Sequence, residues 1–122
     1  MHYQHYNIQS LNVNGLYSAV KRSKMIAKIK REKINVAFWQ ETHLSVTEHE
    51  KLKKMGFRNT FFSSCKKGKR RGVAILISNA VKFELISQIS DGEGRFVLVK
   101  GKIDQKEVTL FNVYAPPFQN DI

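Results

Sequence analysis

Apolar and polar positions along the chain sort into short strands and two helices. Residues 6–13 place Ile8, Leu11 and Val13 ahead of the turn dipeptide Asn14-Gly15, so they read as a first strand with Asn12 at its end. From Ser18 the period changes. Met25, Ile26 and Ile29 recur at helical spacing, with Lys21, Arg22, Lys24, Lys28 and Lys30 on the other faces, which predicts an amphipathic helix with a basic exterior. Val36-Ala37-Phe38-Trp39 then forms an apolar run that ends abruptly in Gln40-Glu41-Thr42-His43, the mark of a buried strand delivering polar groups to a sheet edge. Strand, helix and strand within about 40 residues have the length of a βαβ unit, so the two strands are expected to lie parallel in one sheet.

The second half reads mostly as strands. Thr47 with Glu50 three residues on has the spacing of a capping box for a short helix, and Gly56 is its expected stop. Residues 60–63 and 72–77 are strands by their aromatic and branched side chains, with a run of cations between them. Residues 82–89, 95–103 and 108–114 alternate and are separated by Asp91-Gly92-Glu93-Gly94 and Asp104-Gln105-Lys106, which predicts an antiparallel meander continuing the same sheet. The fold class is α/β: a mixed β-sheet with flanking helices in a single domain over 1–122.

Three apolar runs end in residues suited to phosphate chemistry: Asn12, Gln40-Glu41 and Tyr114. Strands that point the same way at those ends would gather a carboxylate, an amide and a phenol beyond one edge, where α/β proteins place ligands. Each residue also has a plainer use. Glu41 either caps the following turn or holds a hard cation such as Mg²⁺, which takes one or two carboxylates, waters and phosphate oxygens. Asn12 either shapes an Asn-x-Asn-Gly turn or holds a phosphate oxygen or metal-bound water, and Tyr114 either packs its ring or bonds a phosphate. His43, two residues from Glu41, either touches substrate or stands in solvent. The four histidines have no metal-ligand spacing, which argues against zinc.

Composition changes the picture mainly through charge. Hydrophobic residues at 42% and aromatics at 11% are enough for a packed core, which excludes a disordered chain. Against this, 21 Lys and Arg face 10 Asp and Glu, a net charge of +11 that draws polyanions, so DNA is the first partner to consider. The run Lys66, Lys67, Lys69, Arg70 and Arg71, broken only by Gly68, is a solvated hairpin, a contact to the DNA backbone or a nuclear-import signal. A lone Cys65 fits a reducing compartment, and the start lacks the basic and apolar regions of a signal peptide. No apolar stretch approaches the ~20 residues of a membrane span. The expectation is a nuclear or cytoplasmic protein, neither secreted nor bound to a membrane.

Five blocks together carry a resemblance. They are Ser10-Leu11-Asn12-Val13-Asn14-Gly15-Leu16, Lys21-Arg22, Gln40-Glu41-Thr42-His43-Leu44, Gly72-Val73-Ala74-Ile75-Leu76 and Asn112-Val113-Tyr114-Ala115-Pro116. In order and spacing the chain resembles the endonuclease domain of LINE-type retrotransposons. That domain is grouped with exodeoxyribonuclease III and the apurinic/apyrimidinic (AP) endonucleases in the endonuclease/exonuclease/phosphatase superfamily.

The resemblance implies a Mg²⁺-dependent endonuclease acting on DNA, with Mn²⁺ able to replace the magnesium. It implies that Glu41 is the metal ligand, that Asn12 is the asparagine beside the metal and within its ligand set, and that Tyr114 hydrogen-bonds the scissile phosphate. Lys66, Lys67, Lys69, Arg70, Arg71 and His43 would contact the nucleic acid. The likeness runs from about Ile8 to Pro117 and covers the first half of the family's domain, about half of a four-layer α/β sandwich of DNase I-like fold. The family's later Gly-Asp-x-Asn block, a further aspartate and its final Asp-His pair have no counterpart here, so the general base and much of the transition-state electrostatics are missing. The expectations are little or no cleavage, or a basic remnant that binds nucleic acid without cutting it. One sheet without its partner, lined by Phe38, Ile75 and Phe111, would favour self-association or completion by a missing C-terminal half.

Overall fold

The computed structural model describes residues 5–16, 18–68 and 70–115. Lys69, Pro116 and Pro117, named above, lie outside them. The elements follow in the order β1 (Ile8–Asn12), α1 (Ala19–Arg31), β2 (Val36–Gln40), α2 (Val46–Leu52), a 3₁₀ turn (Lys53–Met55), β3 (Asn59–Ser63), β4 (Val73–Ile77), β5 (Phe83–Ser90), β6 (Phe96–Ile103) and β7 (Lys106–Val113).

The strands form two sheets. One has the order β1-β2-β4-β3, with β1 parallel to β2 and β4 antiparallel to both its neighbours. The other is the antiparallel meander β5-β6-β7. The expected β1–α1–β2 unit is present. The expectation that the meander continues the first sheet is corrected, because it folds under that sheet and packs face to face with it. Alternation is the reason. Val97, Val99 and Ile103 of β6, with Val108 and Leu110 of β7, point one way and bury against Val36, Phe61, Val73, Ile75 and Ile77 of the first sheet. Lengthening that sheet instead would have left this row in water, at about 1.5–3 kcal/mol per large side chain.

The first sheet is therefore covered on both faces, which its strands require. All five residues of β4 are buried. Ala37, Trp39, Ala74 and Leu76 face the helical layer, where Ile26 and Ile29 of α1 and Leu52 of α2 meet them. Phe38 and Ile75 are not left bare; they lie in the inter-sheet core. Phe111 is on the outer face of the meander, 54% exposed with Val113 and Ile89 also exposed, and its ring tilts against Phe96 at 6.0 Å between centroids.

The second sheet is narrower than the first. β7 packs below β2 and β4, while β5 and β6 pack below β3 and β4. β1 thus overhangs, and an apolar cleft of ≈ 410 Å³ opens beneath it, lined by Tyr6, Ile8, Val36, Ile103, Val108 and Leu110. The Tyr6 hydroxyl donates to Asp104 at this cleft.

The start of α2 also differs from the sequence expectation. Its cap is Ser45, whose Oγ accepts from Glu48 N at 3.1 Å while Glu48 Oε1 accepts from Ser45 N at 3.0 Å. The capping box is real but sits two residues earlier than Thr47 and Glu50. The difference matters to the site, because an earlier helix start shortens the link from Glu41 and buries His49.

Candidate active site

The parallel register of β1 and β2 puts Asn12 opposite Gln40, so Asn12 and Glu41 emerge from neighbouring strand ends. Asn12 Nδ2 donates to Glu41 Oε2, and Asn12 Oδ1 accepts from Asn14 N at 2.9 Å. Both polar atoms of the amide are thereby used, and the carboxylate is braced by a donor. On its other side Glu41 Oε1 lies 3.6 Å from His43 Nε2.

Backbone conformation explains how these side chains come to face outward together. Glu41 and His43 have φ of 54° and 56°, and Arg71 across from them has 56°. Left-handed backbone at residues with a Cβ costs on the order of 1–3 kcal/mol each and persists only where neighbours over-determine it. Here they do. Thr42 N donates to Gly72 O at 3.0 Å and His43 N to Arg71 O at 2.7 Å, while Gly15 N and Leu16 N donate to Glu41 O and Thr42 O at 2.7 and 2.8 Å.

The Thr42 side chain is held from below. It is fully buried, with Oγ1 2.9 Å from His49 Nε2, and His49 Nδ1 lies 2.8 Å from Ser64 Oγ. The imidazole stacks on Phe62 with centroids 4.7 Å apart. Burial strips this ring of solvent and lowers its pKa from 6.5 to about 4, so it is neutral, with one nitrogen donating and the other accepting. Gly72 is where this layer presses hardest. Its φ is +99°, and a Cβ there would press into Thr42 Oγ1 and come within 3.3 Å of His43 N. Gly72→Ala is expected to destabilise the protein by about 2 kcal/mol or more, read as a lower urea midpoint.

The second sheet reaches the same place through a tight junction. Gly72 N donates to Gly94 O at 2.9 Å. The 91–95 turn is held by Asp91, whose Oδ1 accepts from Ser63 Oγ at 2.6 Å and from the amides of Glu93 and Arg95 at 3.2 Å. Asn112 fastens β7 to the first sheet: its Nδ2 donates to Trp39 O at 3.0 Å and Ala74 O at 2.9 Å, and its Oδ1 accepts from Gln40 Nε2 at 2.8 Å. Two residues on, Tyr114 N donates to Arg95 O at 2.6 Å. Tyr114 therefore arrives beside Glu41 from the other sheet, not from the same one.

The outcome is an open cavity of ≈ 570 Å³ lined by Glu41, His43, Arg70, Arg71, Arg95 and Tyr114. Of the residues expected from sequence, the structure gathers Glu41, His43, Arg70, Arg71 and Tyr114, with Asn12 bonded to Glu41. Lys66 and Lys67 stand exposed to one side, in a neighbouring hollow that they share with Cys65, Arg70 and Arg71. Arg71 Nη2 lies 3.2 Å from Cys65 Sγ, and this contact lowers the thiol's pKa. Arg95 was missed by the sequence reading, which placed it only as the first residue of a strand. Its ion pair with Glu93, at 3.3 Å, is on the surface. Asn112, His49 and Ser64 were missed as supports, since nothing in a single polar residue within an apolar run announces what it bonds. No group of three or more His, Cys, Asp or Glu side chains able to hold a metal ion occurs among the described residues, and none of the helices described is long and apolar enough to cross a membrane.

A carboxylate braced by an amide, a phenol and guanidinium groups lie at the mouth of a two-sheet α/β sandwich, and the fold is nuclease-like. The chain has the fold of the endonuclease/exonuclease/phosphatase superfamily and comprises about half of its DNase I-like sandwich. D. rerio TDP2 complexed with a single-stranded DNA product is similar at a TM-score of 0.66 and 15% identity, over 95% of this chain and 48% of that one. An AP endonuclease from Archaeoglobus fulgidus is similar at 0.60 and 25% identity, over 92% and 42%. The endonuclease domain of TRAS1, a telomere-specific non-LTR retrotransposon, is similar at 0.57 and 15% identity, over 94% and 47%. In sequence, the chain is 27% identical over 115 residues to an uncharacterized 149 kDa protein of transposon TX1 from Xenopus laevis, covering 90% of this chain and 8% of that protein. No family model matches. The chain thus spans about half of each similar structure and a small part of the transposon protein.

Proposed function

We propose that this chain carries the metal-holding and phosphate-orienting part of a Mg²⁺-dependent DNA phosphodiesterase of the AP-endonuclease and retrotransposon-endonuclease kind. One observation carries the reading. Strand ends from two sheets bring the Asn12–Glu41 pair, Tyr114 and three arginines to one open cavity.

The donor set suits magnesium, which accepts a single carboxylate and fills its remaining positions with water and phosphate oxygens. Glu41 would be the ligand. Asn12, whose nitrogen lies toward Glu41 and whose oxygen accepts from Asn14 N, would orient the carboxylate beside the ion. The ion would neutralise phosphate charge and polarise the phosphorus–oxygen bond. Tyr114 would donate to a phosphate oxygen. Arg70, Arg71 and Arg95 would hold further phosphate oxygens in the planar, two-point manner that guanidinium favours.

Among the described residues this cavity contains one carboxylate, so a second acid to take the proton of an attacking water is not part of it. The 122-residue chain is expected to bind metal and DNA with little cleavage. Mn²⁺ titration followed by electron paramagnetic resonance tests the site: Glu41→Gln should weaken binding at least about tenfold, the loss expected when a charged ligand is removed. Equal Mn²⁺ affinity in the variant would sink the assignment, and efficient Mg²⁺-dependent nicking of supercoiled plasmid would overturn the expected lack of cleavage. DNA binding that survives both Glu41→Ala and EDTA would favour a non-catalytic binder.

A further inference from the structure

The exposed side of α1 carries cations that neither the cavity nor the helix itself explains. Lys21, Lys24, Lys28 and Arg31 follow one another at steps of three, four and three residues. At 100° per residue they fall within an arc of about 80°, and at 1.5 Å per residue they span about 15 Å of one helix face. Lys24, Lys28 and Arg31 are exposed and Lys21 is half-buried. The helix contains no acidic residue, so the face lacks the interleaved charges and i,i+4 pairs of an ordinary solvated surface.

Helix stability does not account for the row either. Cations in the last turn complement the macrodipole, but Lys21 lies in the first turn, at the position three residues past the Ser18 cap where glutamate is favoured. Lys21 and Arg22 there oppose the dipole. Arg22 has local partners, donating to Leu16 O at 2.8 Å and lying 3.7 Å from Glu48.

The position of the row gives it meaning. Lys21 Nζ donates to Asn14 O at 3.3 Å, Asn14 N donates to Asn12 Oδ1, and Asn12 braces Glu41. The row starts at the lip of the cavity and runs away from it along the helical layer. Across the strand ends, the order β1, β2, β4 sets the loop that Lys21 grips on one side of Glu41 and Arg71 on the other.

We infer that the Lys21–Lys24–Lys28–Arg31 face is a second contact surface for the backbone of duplex DNA, continuing the path of the strand out of the cavity. Axial steps of about 4.5–6 Å suit successive phosphates, and the face reads no bases, so it adds affinity and direction without sequence preference. The inference rests on DNA being the partner proposed above, but not on Glu41 holding a metal.

The test is fluorescence anisotropy with a labelled 24-base-pair duplex in EDTA, titrated between 50 and 300 mM NaCl. The variant Lys24→Gln/Lys28→Gln/Arg31→Gln removes three exposed charges and leaves the Ser18 cap and Lys21 in place. A control, Lys51→Gln/Lys54→Gln/Arg58→Gln, removes the same charge from exposed positions elsewhere. The α1 variant should bind at least about tenfold more weakly at 100 mM salt, with the slope of log K against log [salt] shallower by about 2–3, as three lost phosphate contacts require. The control should change the slope by less than about 1. Equal losses in both variants would reduce the row to net charge and overturn the inference, as would an unchanged α1 variant or a wild-type chain that does not bind the duplex. Failure of Glu41→Gln to alter Mn²⁺ binding, with the α1 result intact, would remove the metal assignment alone.

Discussion

Lowering the pH from 7 to 4 should cost the folded chain about 3 kcal/mol through His49 alone. In the folded state its pKa is about 4, because the ring is buried between Thr42, Ser64 and Phe62; the ordinary value is 6.5. Above pH 6.5 the ring is neutral in both states and the stability is fully present. As the pH falls from 6.5 to 4, the unfolded chain takes up a proton that the folded chain refuses, so stability declines by about 1.4 kcal/mol per pH unit and then levels off. Urea midpoints at pH 7, 6, 5 and 4 measure this, with His49→Gln as the comparison that should lack the step. A wild type whose midpoint is flat between pH 6.5 and 4.5 would count against a neutral, buried His49. Asp91, held below its usual value chiefly by its bonds from Ser63 and the turn amides against an opposing burial effect, acts in a lower window: its contribution is present above 3.8 and is lost as the pH falls further.

Asn112→Leu should loosen the join between β7 and the first sheet. The leucine fills the space but abandons Trp39 O and Ala74 O, which now accept from the Asn112 amide in a fully enclosed setting. Both carbonyls keep a ladder donor across the β2–β4 pair, so each loses a second bond worth about 0.5–1.5 kcal/mol, and a loss of about 2 kcal/mol is expected in urea unfolding. Gln40 is less affected, because its amide keeps Ser10 Oγ and Phe38 O as partners. Asn112→Asp should be at least as harmful, since it sets a carboxylate against two carbonyl oxygens. A leucine variant within 1 kcal/mol of wild type would show that apolar packing alone holds β7 to the first sheet.

These two residues mark where sequence reading stops. Strand and helix positions were legible because burial imposes a period: Val36 to Gln40 and Val73 to Ile77 could be nothing but interior strands, and Met25, Ile26 and Ile29 fix the inner side of α1. The meander was also legible as three strands, but its place was not. A strand with one buried face has the same alternation whether it extends a sheet or lies beneath one, so β5 to β7 were assigned to the wrong layer. For the site, Glu41 and Tyr114 stood out because each ends an apolar run. Arg95 did not, because it reaches the cavity only through the junction of Gly94 with Gly72. His49 gave no signal in the sequence beyond the absence of a metal-ligand spacing, and it is the earlier cap at Ser45 that turns it inward.

The unequal widths of the two sheets have a consequence for hydration. β1 ends one sheet and β7 ends the other, and both free edges lie on the flank where the first sheet overhangs. Each edge strand turns outward a row of backbone N–H and C=O groups without a ladder partner among the described residues, and Ile8 beside them is 63% exposed. Among the described residues nothing else pairs with those groups, so water reaches them and the cleft down to the apolar wall formed by Val36, Val108 and Leu110. On the opposite flank, where β5 and β6 pack against β3, the hollow of ≈ 370 Å³ is lined in part by Glu50, Arg58, Asn59 and Gln88, so among the described residues the apolar wall that water reaches lies on the β1 side.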